Sequence, residues 1–195
     1  MNQNAELHTQ QQEAVAAPEP LKANPLMTAY EWVETLIWCF LFVVILFTFV
    51  VRVVGVSGPS MQDTLHDGER LVTINYFTPK YGDIVAITQP KELEVPLVKR
   101  VIATEGQVVD INFETGEVYV DGKLLTEPYI KTPTNVSGDV EFPVTVPKGR
   151  VFVLGDNREV SLDSRYSEVG MIDVRYIFGK VVFRLLPMNK AGVPK

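Results

Sequence analysis

Three short segments of the 195-residue chain hold residue types that could carry out acyl transfer. The first is Ser57-Gly58-Pro59-Ser60-Met61. Glycine and proline force a tight turn there, which can present a serine hydroxyl and leave backbone N–H groups free for an oxyanion. The second is Val98-Lys99-Arg100-Val101-Ile102, a lysine inside an apolar run of strand type. Alternation puts Lys99 on one face with Leu97 and Val101, where it can point inward. Burial disfavours the ammonium form, and a neutral amine can take a proton from a serine. An edge-strand lysine that blocks aggregation is the plainer reading of that pattern. The third segment is Gly155 to Arg165, GDNREVSLDSR, directly after the apolar Val151–Leu154. Its Asp and Arg residues suit a loop of hydrogen bonds and ion pairs. It lacks the mid-loop Gly and terminal Glu of a calcium loop, so no metal is expected.

A base for Ser60 has few sources. His8 lies in the N-terminal tail, and His66 is six residues from the serine, an awkward reach on one turn. Serine with lysine is the alternative arrangement known on other folds.

These residues need elements to position them. Every residue from Leu36 to Val51 except Thr48 is apolar, and Val53, Val54 and Val56 follow Arg52. The run is apolar all round, unlike an amphipathic core helix. Glu31 and Glu34 stand where a signal peptide would carry basic residues. The pattern predicts one membrane-spanning anchor over residues 31–54, with Trp32 and Trp38 suited to an interface. Residues 1–30, rich in Gln, Ala, Glu and Pro, read as a disordered acidic tail. Glu6, Glu13, Glu19, Glu31 and Glu34 against Lys22 hold most of the net charge of −6 in this region. The remainder is nearly neutral, and an acidic chain is no nucleic-acid binder. Its one cysteine, Cys39, excludes an internal disulfide and a cysteine-based zinc site.

Residues 55–195 read as one β-rich domain. Strand signals lie at Arg70–Tyr76, Ile84–Thr88, Leu97–Ala103, Val108–Phe113, Glu117–Val120, Arg150–Leu154 and Tyr176–Leu186, bounded by Gly, Pro, Asn and Asp. Asp121-Gly122 predicts a short hairpin, and Thr115-Gly116 a turn. Residues 108–150 read as a compact hairpin and loop insertion. Weak helical stretches lie near Ser60–Leu65 and Ser164–Met171. The class is mainly β, with a single N-terminal membrane helix.

In this order and spacing, the segments resemble the type I signal peptidase family, shorter Gram-positive type. The resemblance covers roughly residues 30–190 and includes Thr64-Leu65, Gly82-Asp83-Ile84-Val85, Gly106 and Asp163-Ser164-Arg165. It implies an antiparallel β-sheet fold and a serine endopeptidase that removes signal peptides from secretory preproteins, without a cofactor. It implies that Ser60 is the nucleophile, Lys99 the general base and Ser161 the serine that orients the lysine. The Ser60 N–H would donate to the oxyanion, with Gly58 in the oxyanion region offering backbone alone. Asp163, Arg165 and Arg100 would hold the site rigid through ion pairs, and Met61 would lie near the substrate pocket. Asp63, Ala103 and Gln107 depart from the proline, glycine and aspartate usual there.

Basic residues beside the anchor, Lys22 before it and Arg52 and Arg70 after it, weakly favour the C-terminal domain inside. The resemblance implies the opposite: a single-pass cell-membrane protein with its catalytic domain on the outer face of the bilayer. A non-catalytic anchored β-domain for peptide binding or envelope assembly would explain the anchor and strands but not the Ser60, Lys99 and Ser161 segments. A sortase-like reading needs a catalytic cysteine, and Cys39 lies inside the apolar run.

Overall fold

The structure is a computed structural model that describes residues 25–88 and 96–194. Its first element, helix α1, spans Pro25–Phe49, buries no residue, and is long and apolar enough to cross a membrane. It starts inside the stretch expected as tail and stops before the expected anchor end at residue 54. Residues 1–24 of that tail lie outside the described residues.

The chain turns from helix to strand at Val50. Strand β1, Val51–Gly55, pairs antiparallel with β2, Arg70–Ile74, in register from Val51↔Ile74 to Gly55↔Arg70. The valines read as the end of the anchor are therefore sheet. Their β-branched side chains suit a pleated surface, and pairing with β2 satisfies their backbone. Asn75 Nδ2 donates to the Phe49 carbonyl at 2.8 Å, satisfying one group left open by the helix end.

The other strands are β3 (Ile84–Ile87), β4 (Leu97–Thr104), β5 (Val108–Asn112), β6 (Glu117–Val120), β7 (Lys123–Leu124), β8 (Val144–Thr145), β9 (Arg150–Leu154), β10 (Ile172–Asp173) and β11 (Ile177–Leu186). They form a seven-stranded sheet ordered β1-β2-β11-β3-β4-β9-β10 and a four-stranded sheet ordered β7-β6-β5-β8. All pairings are antiparallel. The fold is mainly antiparallel β, preceded by one apolar helix.

Strand β4 decides where the lysine goes. Its Val101 packs into one apolar cluster with Val85, Ile87, Val151 and Val153. Its Ile102 packs into another with Val109, Val118, Phe152 and Leu154, beneath the four-stranded sheet. Both faces of β4 are thus covered. Lys99 and Arg100, on opposite faces, are both buried, at 2% and 4% exposure. The edge-strand reading of Lys99 fails because β3 and β9 flank β4 on both sides.

The two weak helical stretches form turns instead. In the first, Gln62 N–H bonds the Pro59 carbonyl and Leu65 N–H bonds that of Met61, but the Ser60 carbonyl is taken from outside by Asn157. In the second, Tyr166 N–H bonds the Asp163 carbonyl and Val169 and Gly170 N–H both bond that of Tyr166, separate turns rather than a continuous ladder.

Candidate active site

Ser60 sits on the connection between β1 and β2. Gly58 turns the chain there with φ +85°, a conformation that costs glycine little. Its N–H donates to Asp67 Oδ1 at 2.9 Å. That bond pins the turn, but it also commits the donor that was expected to face an oxyanion. Among the described residues, the Ser60 N–H has no hydrogen-bond partner and is the donor left over.

The turn is held from the opposite side by the segment after β9. Asn157 N–H donates to the Ser60 carbonyl at 3.1 Å, and its side-chain amide donates to the Pro59 carbonyl at 3.2 Å. Gly155 lies so close that a Cβ there would run into Ser161 Oγ and the Ser60 carbonyl. Sequence reasoning quoted Asn157 without giving it a role. Nothing local marks it, because its partners lie almost a hundred residues upstream.

Lys99 Nζ donates to Ser60 Oγ at 2.8 Å. Burial pushes the Lys99 amine down to about 8; Asp163 and Asp156 oppose that fall and Arg165 assists it. His66 is placed elsewhere, with Nδ1 3.7 Å from Glu69 Oε1. Ser161 departs from expectation. Its hydroxyl is buried and has no hydrogen-bond partner among the described residues, so it does not bond Lys99. Its carbonyl is held by Arg165 Nη2 at 3.2 Å, and its Oγ faces Gly155 instead.

Two buried ion pairs frame these groups. Arg100 grips Asp156 with Nε at 2.8 Å and Nη2 at 2.7 Å, donates to the Gly82 carbonyl, and lies 3.9 Å over the Tyr129 ring. Thr64 Oγ1 donates to the same Asp156. Arg165 grips Asp163 with Nε at 2.9 Å and Nη2 at 3.1 Å, and Asp163 Oδ2 accepts the Gly155 N–H at 3.0 Å. A third pair, Arg158 with Glu127, was missed from sequence. Arg158 reaches both Glu127 oxygens, the Thr134 hydroxyl and the Gly155 carbonyl. It ties the loop after β7 to the turn that carries the site.

Met61 is 1% exposed and packs with Val56, Leu65, Leu71 and Ile84. With Ser60 it also lines a cleft of about 350 Å³, whose other walls include Val54, Ala86, Val98 and Phe178. The structure therefore brings together Ser60, Lys99, Met61, Asp163, Arg165 and Arg100. The arrangement sets a hydroxyl, a buried amine within hydrogen-bond distance of it, an unoccupied N–H beside it and an apolar cleft in front.

A family model described as signal peptidase, peptidase S26, matches residues 29–186. Signal peptidase I of Bacillus licheniformis is 36% identical over 184 residues, covering 88% of this chain and 96% of that protein. Signal peptidase I T of Bacillus subtilis (strain 168) is 37% identical over 175 residues, covering 84% of this chain and 88% of that one. A crystal structure of a signal peptidase I from Enterococcus faecalis V583 matches with 30% identity and a TM-score of 0.43, covering 53% of this chain and 97% of that one. The chain belongs to the signal peptidase family, peptidase S26. Its class of reaction is the endopeptidase removal of signal peptides, and its N-terminal apolar helix fits membrane anchoring.

Proposed function

We propose that this chain cleaves secretory preproteins through a Ser60–Lys99 dyad. The observation that carries the reading is the 2.8 Å contact from Lys99 Nζ to Ser60 Oγ, made by a lysine whose amine burial pushes down to about 8. Neutral Lys99 accepts the Ser60 proton as Oγ attacks the scissile carbonyl. The oxyanion that forms takes the Ser60 N–H. Lys99 then protonates the leaving amine, and the acyl-enzyme is hydrolysed by a water that Lys99 activates. Signal peptides end in small residues, which suits a shallow apolar cleft beside the nucleophile. The substrate binds extended, across strand-forming backbone. In this reading the helix anchors the catalytic domain to the bilayer and the domain works on the outer face, where cleavage sites emerge.

Cleavage of a secretory precursor in detergent tests this with Ser60→Ala, Lys99→Ala and His66→Ala. The first two lose cleavage by at least about 10²-fold and the third retains it. Cleavage persisting in Lys99→Ala sinks the dyad. Protease protection of residues 57–195 in sealed cells contradicts the outer-face placement when the protease is outside.

A further inference from the structure

We infer that Arg165 offsets the charge that Asp163 would otherwise present to the buried Lys99, an electrostatic role beyond any stiffening of the loop. The inference rests on the Ser60–Lys99 reading and adds a role that rigidity alone does not supply.

The pair is built into the site. Both side chains are fully buried, and the Arg165 guanidinium spends its other donors on the carbonyls of Val136, Arg158 and Ser161. Asp163 bonds Gly155 N–H, and Gly155 rests against the Ser60 carbonyl. One backbone contact thus separates this carboxylate from the nucleophile's turn. Arg100, next to Lys99 on β4, lies on the opposite face and is paired with Asp156, and the cross-strand neighbours bring no charge. Val85 faces it across β3, and the β9 residue beside Arg100 is Leu154. On the turn it meets the neutral Ser60. The charges that act on it come from the segment after β9: Asp163 and Asp156 favour the ammonium, and Arg165 opposes it. Asp156 is itself clamped by Arg100 and Thr64. In a dry interior, a bare carboxylate nearby would hold the proton on Lys99. A pair kept for stiffness alone could be replaced by apolar packing at little cost.

The test measures the alkaline-rising limb of kcat/KM for precursor cleavage by the full chain in detergent. In parallel, carbon NMR follows the Lys99 side-chain titration, its signal identified by loss in Lys99→Ala. Arg165→Gln is expected to move both upward by about one pH unit, an activity loss of about tenfold at neutral pH. Asp163→Asn is expected to move both downward by about one unit. The double variant returns them to within about half a unit of the starting position, and Arg165→Lys, which keeps the charge without the fork, leaves the limb in place. If Arg165→Gln does not fold, the Asp163→Asn and double variants decide the matter by the same shifts. A limb and a titration that stay fixed while kcat falls would overturn the inference. So would shifts of one sign in both single variants. Wild-type cleavage that proved independent of Ser60 and Lys99 would remove the dyad instead, while the NMR titration would still report on the Asp163–Arg165 pair.

Discussion

Asn157 clasps the Ser60 turn with both ends of its structure, backbone N–H to the Ser60 carbonyl at 3.1 Å and side-chain amide to the Pro59 carbonyl at 3.2 Å. The placement of Ser60, the proposed nucleophile, is thus fixed by a residue that does not contact its hydroxyl. Asn157→Ala removes the side-chain half of the clasp and leaves the backbone half. We expect a stability loss of about 1 kcal/mol in urea unfolding. We also expect kcat to fall more than KM changes, because an ångström of misplacement is expensive to an attacking hydroxyl. Equal kcat values for mutant and wild type would show that the clasp does not position Ser60.

The Lys99 amine, held down to about 8 by burial, sets the pH profile. kcat/KM should rise with pH through a limb near 8 and level off above it, as the ammonium gives up its proton. A limb displaced to about 10, where an ordinary lysine titrates, would mean that burial is not acting on Lys99.

The same burial affects stability, with a definite sign. An unfolded lysine titrates at 10.5, so between about 8 and 10.5 the unfolded chain binds the proton that the folded chain has lost. Folding stability from this group therefore increases with pH across that window, and its deficit is complete below about 8. The deficit is roughly 3 kcal/mol. Lys99→Met should raise stability at pH 7 and abolish cleavage, and its gain should shrink as pH rises through the window. Urea midpoints taken at pH 7 and pH 10 check the trend.

Gly155 tolerates no side chain, because a methyl group there runs into Ser161 Oγ and the Ser60 carbonyl. Gly155→Ala should cost about 1–3 kcal/mol from overpacking and lower kcat by tenfold or more. Thermal melting and precursor cleavage measure the two losses separately. Ordinary activity in this variant would show that the β9 turn can retreat from the nucleophile.

Arg158 and Glu127 lock the loop after β7 against the site. Glu127→Gln leaves the Arg158 charge buried without its partner, and the loss should reach about 3 kcal/mol. Limited proteolysis should then cut within residues 125–143 before the sheet unfolds. Unchanged proteolysis would place the hold on that loop elsewhere, for instance in the Arg165 bond to the Val136 carbonyl.

The strands that carry Lys99 and the loop with Asp163 were readable because Val, Ile and Tyr runs end at Gly, Pro and Asp. The hairpin at Asp121-Gly122 forms between β6 and β7 as its turn chemistry predicts. The residues of the proposed dyad came from short patterns whose meaning depended on occurring together. The Arg158–Glu127 pair was not readable, since two polar residues thirty-one apart carry no periodicity. Strand β1 was hidden for a different reason. Its valines continue an apolar run, and hydropathy does not distinguish the last turn of a helix from the first residues of a strand. The unbonded Ser161 hydroxyl was equally beyond reach, because which way a hydroxyl points depends on neighbours such as Gly155.

Helix α1 ends at Phe49 and β1 begins at Val51, so one residue separates anchor from sheet. A soluble version of the protein has that margin and no more. Cutting before Val51 keeps all five register pairs with β2. Cutting a few residues later strips β2 of its outer neighbour and leaves a bare strand edge. An overtrimmed soluble preparation should therefore fail first by self-association, with Ser60 and Lys99 still in place.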